Sequence, residues 1–165
     1  MTTETQGTQP ISITATTTVA VPIDEAFRFF TEQIDDWWNP DHHIIEAPLS
    51  HMVFEPFVGG NVYDVGTDGS ECRWSRVLAY DPPHRVVFSW DINGHWAIET
   101  DHSLCSEVEV TFTEESPGTT SVVLEHRHLE RHGEEIVSQV EGMRTGWQEG
   151  LLDLYAAQVQ KSSAS

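Results

Sequence analysis

Residues 134–160 read EEIVSQVEGMRTGWQEGLLDLYAAQVQ, and they carry the longest helical pattern in the chain. Apolar residues recur there at three- and four-residue steps, a spacing that aligns them along one face of an α-helix. These residues are Ile136, Val140, Met143, Trp147, Leu151 and Leu154. The pattern predicts one long C-terminal helix with a single apolar stripe.

Three glycines fall four residues apart in the same stretch, at Gly142, Gly146 and Gly150. Each costs about 1 kcal/mol relative to alanine inside a helix, so their presence needs a compensating reason. Two explanations stay open. The glycines allow either close packing of the helix on a sheet or a thin helix that leaves room for a ligand.

The residues before this helix predict mainly strands. Alternating β-branched residues over 11–21 predict a first strand, and two short apolar helical segments follow it up to Trp38. After a polar, histidine-bearing loop that runs to about Ser50, turns marked by glycine and proline separate further strands. The predicted strands cover residues 52–55, 61–65, 72–80, 85–91, 105–114 and 119–128.

This order of elements does not alternate strand and helix, which disfavours a parallel sheet. We predict an α+β fold in which a curved antiparallel sheet of six to seven strands wraps around the long C-terminal helix, with two short helices after the first strand. Such a sheet can enclose an apolar cavity. The domain is expected to span residues 11–160, with disordered tails at 1–10 and 161–165.

Charge and cysteine content narrow the possible partners. The 165 residues contain 8 Lys plus Arg against 27 Asp plus Glu, a net charge of −19 that repels phosphate backbones and anionic membranes. We therefore expect neither nucleic acid nor membrane as a partner; the acidity serves solubility or, alternatively, a cationic partner. Two cysteines without a CxxC motif, and a polar N-terminus without an apolar stretch, predict a cytoplasmic protein.

An ordered series of short motifs resembles a known family. The series comprises Glu55-Pro56 with Gly59-Gly60, Asp68-Gly69, Trp74 to Pro83, Phe88-Ser89-Trp90, Pro117 to Thr120, and Gly146-Trp147 with Leu151. It resembles the START-like SRPBCC superfamily, and within it stand-alone bacterial domains similar to the C-terminal domain of the activator of the ninety-kilodalton heat-shock protein ATPase.

The resemblance implies a helix-grip fold with an internal cavity. The superfamily includes lipid carriers, hormone-binding proteins, and aromatase and cyclase domains of polyketide synthesis. The co-chaperone's separate N-terminal domain has no counterpart in this sequence, so its activity is not expected to carry over.

Six tryptophans come from nearly every predicted element, and we expect several to converge where helix and sheet meet. They can either fill the core or form a cavity wall. The predicted ligand-binding residues are Trp37, Trp38, Phe54, Trp74, Arg76, Trp90, Trp96, His126, Met143 and Trp147.

Three polar residues are expected to point inward. His126 and His128 share a strand face with apolar residues and are predicted to run toward the cavity mouth, where His126 could bind a ligand or act as an acid or base. Arg76 shares the strand phase of Trp74, and Glu55 is its expected partner. That pair would be either a structural ion pair or an anchor for a ligand carboxylate.

The sequence contains no HExxH motif, no nucleophile elbow and no glycine-rich phosphate loop. A metal site is therefore not predicted at the paired His42 and His43 or elsewhere, no cofactor is expected, and His126 is the only catalytic candidate.

Three functions remain open. The first is a binding protein for a small apolar or aromatic molecule. The second is an enzyme of the polyketide cyclase or dehydratase type, in which a cavity histidine or carboxylate acts as acid or base. The third is an acidic interaction module for a chaperone, and a homodimer partner is also open.

Overall fold

The computed structural model describes residues 10–38 and 47–164. Within this part of the chain, seven strands form one curled antiparallel sheet in the order β1-β7-β6-β5-β4-β3-β2. The strands are β1 Ile13–Val19, β2 Leu49–Phe54, β3 Asn61–Gly66, β4 Glu71–Asp81, β5 Arg85–Trp90, β6 Ser106–Ser116 and β7 Thr119–Arg127. The predicted antiparallel sheet is confirmed.

The two short helices after the first strand are also present. Helix α1 spans Ile23–Thr31 and is followed by a 3-10 turn at Ile34–Asp36. The predicted histidine-bearing loop, including His42 and His43, and the predicted N-terminal tail up to residue 9 lie outside the described residues.

The predicted C-terminal helix is confirmed, but it changes its winding along its length. It begins as a 3-10 segment at Glu134–Gln139, continues as α2 at Val140–Thr145, widens into a π-helical segment at Gly146–Leu152, and ends as α3 at Asp153–Ala164. It thus extends beyond residue 160, where the sequence pattern ended it. π-helical segments are rare and often lie at functional sites.

Aromatic packing fills the space between α1 and the sheet. Phe27 packs edge-on against Phe112 of β6 at 5.2 Å, and Phe30 packs against Tyr155 of α3 at 5.3 Å between ring centroids. The Tyr155 hydroxyl donates to the backbone oxygen of Ala26 at 2.7 Å. These contacts hold α1 and α3 together, whereas the middle of the C-terminal helix contacts β1 and, through Trp147, also Trp90 of β5.

Two irregularities in β4 break the simple alternation of faces. The pairing of β3 with β4 shifts at Val62 and Tyr63, and that of β4 with β5 shifts between Val77 and Ala79. Because each bulge adds a residue to one strand, the side chains beyond it change faces. Leu78, which shares the inward phase in the sequence pattern, is exposed.

No described helix is long and apolar enough to cross a bilayer.

Candidate ligand-binding cavity

A cavity of about 760 Å³ lies between the C-terminal helix and the sheet. Its described lining residues come from the 3-10, α2 and π-helical parts of the C-terminal helix, from β3 to β5, from the loop after β5, and from the end of the segment after α1. They are Trp38, Asp64, Trp74, Trp90, Ile92, Trp96, Ser138, Gln139, Gly142, Met143, Gly146, Trp147 and Leu151. The volume falls within the range of pockets that enclose small organic ligands, about 300 to 1,000 Å³.

Four tryptophans form a closed ring of contacts in the wall of this cavity. The Trp38 ring lies 5.4 Å from Trp74, Trp74 lies 5.5 Å from Trp90, and Trp90 lies 5.5 Å from Trp147. Trp147 closes the ring at 6.1 Å from Trp38. We call Trp38, Trp74, Trp90 and Trp147 the tryptophan ring; it offers large, stiff aromatic surfaces to a ligand.

Two of the three helix glycines border the empty space. A Cβ atom placed on Gly142 or Gly146 would meet no atom within 4 Å outside its immediate neighbourhood. At Gly94, by contrast, a Cβ would lie 2.9 Å from the Cβ of Glu135. Close packing therefore does not explain Gly142 and Gly146, whereas a helix kept thin beside the cavity does.

Asp64 is the only ionisable side chain among the described residues that line the cavity. It lies on β3, is 1 % exposed, and accepts a hydrogen bond from Trp74 Nε1 at 3.1 Å. Asp64 is a site residue that was not predicted from the sequence. Its signal was an aspartate on the inward phase of β3, two residues after the buried Val62.

Trp96 lies at the edge of the cavity. It lines the cavity and is nonetheless 54 % exposed, with a left-handed backbone φ of 60° that is uncommon for a bulky residue. Nearby, Gln139 Nε2 donates to the backbone oxygen of Gly94 at 2.8 Å, which ties the start of the helix to the loop after β5.

His126 lies behind the wall and does not line the cavity. It is fully buried, and its Nδ1 accepts a hydrogen bond from Trp147 Nε1 at 3.0 Å. Burial, assisted by nearby His132, lowers the pKa of His126 to about 3. The expectation that His126 approaches the cavity mouth is wrong, because Trp147 of the helix covers this end of β7.

His128 was expected on the same inward face, and the structure contradicts this. Strand β7 ends at Arg127, and His128 adopts a left-handed conformation with φ of 64°. Its partly exposed ring lies 3.9 Å from Glu130. The strand alternation on which the expectation rested no longer applies beyond Arg127.

Arg76 has a different partner from the one predicted. Its Nε and Nη2 donate to the two carboxylate oxygens of Asp91 at 3.1 and 3.0 Å, and this hydrogen-bonded pair raises the pKa of Arg76. Glu55 instead accepts from the backbone nitrogen of Asn61. Neither Arg76 nor Asp91 is among the lining residues, because the bulges in β4 change the face on which Arg76 lies.

The remaining predicted residues divide into two groups. Trp38, Trp74, Trp90, Trp96, Met143 and Trp147 come together around the cavity. Trp37 and Phe54 belong to the core: Trp37 Nε1 donates to the backbone oxygens of Phe29 and Phe30, and Phe54 packs against Phe88 at 6.0 Å. Within residues 10–38 and 47–164, no three His, Cys, Asp or Glu side chains are grouped to hold a metal ion.

Comparisons with known proteins agree with this architecture. Residues 20–157 match the sequence profile of the family described as activator of Hsp90 ATPase homolog 1-like protein. No match was found among curated protein sequences.

Several solved structures are similar over most of the chain. One, described as the anthrahydroquino-Gama-pyrone synthase Txn09 in a complex, is 36 % identical, covers 88 % of this chain and 95 % of its own, and has a TM-score of 0.63. Protein MLL2253 from Mesorhizobium loti is 18 % identical, with 93 % and 97 % coverage and a TM-score of 0.61.

Protein Ms6760 from Mycobacterium smegmatis is 23 % identical, with 92 % and 89 % coverage and a TM-score of 0.62. These last two likenesses concern the fold alone. The sheet curls around a C-terminal helix, and the profile match covers most of the chain. This chain therefore belongs to the family of activator of Hsp90 ATPase homolog 1-like proteins.

Proposed function

We propose that this protein binds a planar, polycyclic aromatic phenol of polyketide type in the cavity and closes an oxygen-containing ring on it. The observation that carries the proposal is the buried carboxylate of Asp64 beside the tryptophan ring. The 36 % identity to a protein described as an anthrahydroquino-Gama-pyrone synthase supports the same reaction class.

The shape and chemistry of the wall favour a flat aromatic ligand. Aromatic rings pack on one another through offset-stacked or edge-to-face contacts, and the tryptophan ring provides both faces and edges. Gly142 and Gly146 leave space in the same cavity, because neither has a side chain that enters it. A fused ring system therefore fits between the helix and the sheet.

Asp64 supplies the acid-base chemistry that the ring closure needs. When a phenol closes onto the far ketone of a 1,3-diketone side chain, the phenolic oxygen loses its proton, a C–O bond forms at the carbonyl carbon, and the carbonyl oxygen takes up a proton to become a hydroxyl. That hydroxyl leaves as water when it takes up a second proton, which the CH2 group between the two ketones releases as the C=C bond of the new ring forms. A carboxylate near the phenol can take up the first proton and return it to the departing oxygen. The indole of Trp74 orients this carboxylate through its hydrogen bond to Oδ1.

A carrier of the same ligand class is the second candidate. It is favoured by the scarcity of ionisable groups on the wall, where Asp64 is the only one among the described lining residues. In a carrier, Asp64 would hold a phenolic hydroxyl without moving its proton.

The test compares the wild type with Asp64→Asn, which keeps an oxygen that can accept from Trp74. The substrate is a hydroxyanthraquinone that carries a 1,3-diketone side chain next to its phenolic hydroxyl. Mass spectrometry follows the loss of one water, and quenching of tryptophan fluorescence follows binding. Glu114→Gln, an exposed carboxylate on β6, is the matched control.

We expect Asp64→Asn to bind the substrate but to turn it over about 10² to 10⁴ times more slowly, as is typical for loss of a general base. Glu114→Gln should match the wild type. Unchanged turnover in Asp64→Asn would show that Asp64 is not the base. Binding without turnover in the wild type would favour the carrier, and no binding at all would contradict both candidates.

A further inference from the structure

A chain of hydrogen bonds runs from the cavity wall into the sheet. Trp147 Nε1 donates to His126 Nδ1 at 3.0 Å, and His126 Nε2 lies 2.8 Å from the Ser106 hydroxyl. The same hydroxyl lies 2.7 Å from His132 Nε2. The chain links the π-helical segment to β7, β6 and the segment after β7.

The first donor determines the direction of every bond in the chain. An indole nitrogen can only donate, so His126 Nδ1 must be the unprotonated nitrogen and His126 Nε2 carries the hydrogen. Ser106 accepts from His126 and donates onward to His132 Nε2. The bond pattern therefore places the hydrogen of neutral His132 on Nδ1, which is buried and has no hydrogen-bond partner among the described residues.

Burial keeps this arrangement in one protonation state. It lowers the pKa of both histidines, to about 3 for His126, and for His132 the nearby Glu99 and Asp91 oppose the shift. Near neutral pH His126 is thus a neutral ring with a fixed tautomer. It presents one acceptor, and Trp147 uses it.

Trp147 is the member of the tryptophan ring that lies on the π-helical segment, directly after Gly146. Its ring touches Trp38 and Trp90 through edge contacts, at 6.1 and 5.5 Å between centroids. The bond to His126 is the only directional contact that the indole nitrogen makes within the described residues.

We propose that His126 is a positioning residue that acts through Trp147: with Ser106 and His132 behind it, it fixes the indole against which the ligand packs. The ligand part of this inference rests on the proposed function, whereas the orientation of Trp147 does not. His126 itself does not touch the ligand, because it lies outside the cavity lining.

The test compares His126→Leu with His126→Gln. Glutamine offers an oxygen to Trp147 and an amide N–H to Ser106, whereas leucine offers neither. The first measurement is the indole N–H signal of Trp147 in protein labelled with ¹⁵N-tryptophan, assigned by its loss in Trp147→Phe. The second is the dissociation constant of 1,8-dihydroxyanthraquinone, measured by fluorescence quenching.

We expect His126→Leu to move the Trp147 signal more than any other indole signal and to weaken binding about tenfold, the size expected from one hydrogen bond. His126→Gln should restore both. Val110→Ala, a destabilising change in the buried core of β6 at a residue that does not line the ligand cavity, controls for lost stability alone.

The inference is wrong if the Trp147 signal stays in place in His126→Leu, or if Val110→Ala weakens binding equally at a similar loss of melting temperature. Should the wild type not bind the anthraquinone, the proposed ligand class fails, and the NMR signal alone then decides whether His126 orients Trp147.

Discussion

Replacing Gly142 and Gly146 by alanine should stabilise the empty protein and weaken its binding of large ligands. Gly146 has ordinary helical angles, φ of −60° and ψ of −44°, so alanine adopts its conformation without strain. At both positions the new methyl group would meet no atom within 4 Å outside the local helix. The substitution thus restricts the unfolded chain without causing a clash in the folded one.

The magnitude follows from the helix propensities. Each Gly→Ala change at a compatible site stabilises a protein by about 0.4 to 1 kcal/mol, so the double variant gains about 1 to 2 kcal/mol. For a chain of this length, 1 kcal/mol shifts the melting temperature by roughly 2 to 4 °C. We expect a rise of about 2 to 8 °C in thermal unfolding of the ligand-free protein.

Binding should change in the opposite direction, because the two methyl groups enter the cavity. Overfilling a packed site costs about 1 to 3 kcal/mol, which corresponds to roughly 5- to 150-fold in the dissociation constant. We expect this loss for the three-ring 1,8-dihydroxyanthraquinone and little change for the two-ring 1-naphthol, both followed by fluorescence quenching.

Gly94→Ala is the contrasting control. Its Cβ would lie 2.9 Å from the Cβ of Glu135, so this variant should lose stability. A lower melting temperature in the Gly142→Ala, Gly146→Ala double variant would refute the reasoning, since it would mean that the glycines serve packing. Unchanged binding of the three-ring probe would also refute it, because the methyl groups would then not face the ligand.

Two further predictions concern charge and pH. Arg76→Met should lower the free energy of unfolding, measured in urea, by about 3 to 5 kcal/mol, because it leaves the buried Asp91 unpaired. Asp91→Asn should lower it less, because Arg76 retains access to water. Equal losses in the two variants would argue against this asymmetry. The unfolded chain protonates His126 near its ordinary pKa of 6.5 and the folded protein only near 3, so protonation favours unfolding as pH falls between these values. Between pH 7 and pH 4.5 this group should remove about 3 kcal/mol of stability, and His126→Gln should flatten the decline; parallel curves for the two proteins would show that another group causes it.

The helices and strands of the fold could be predicted from the sequence, because they depend on the local periodicity of apolar residues. The three- and four-residue spacing of Ile136 to Leu154 predicted the C-terminal helix, and alternating β-branched residues predicted β1. Most of the residues of the cavity wall were also predicted from the sequence, because tryptophans that come from many elements of one small domain are expected to meet in its core.

What the sequence did not predict depends on register. Two bulges in β4 decide that Arg76 meets Asp91 and not Glu55. The position of His126 depends on which helix residue covers the end of β7, and that residue proved to be Trp147. Asp64 was detectable as an inward aspartate in β3, but only the cavity beside it distinguishes a functional carboxylate from a buried structural one.

The strand order has a consequence for synthesis of the chain. Strands β2 to β6 each pair with the next strand along the sequence, whereas β1 pairs only with β7, from Ile13 opposite His126 to Val19 opposite Thr120. Translation proceeds at about 5 to 20 residues per second, so β1 leaves the ribosome roughly 5 to 20 s before its partner is made. During that interval its backbone donors and acceptors are available to other chains or to a chaperone, and the first strand to be synthesised is among the last to be paired.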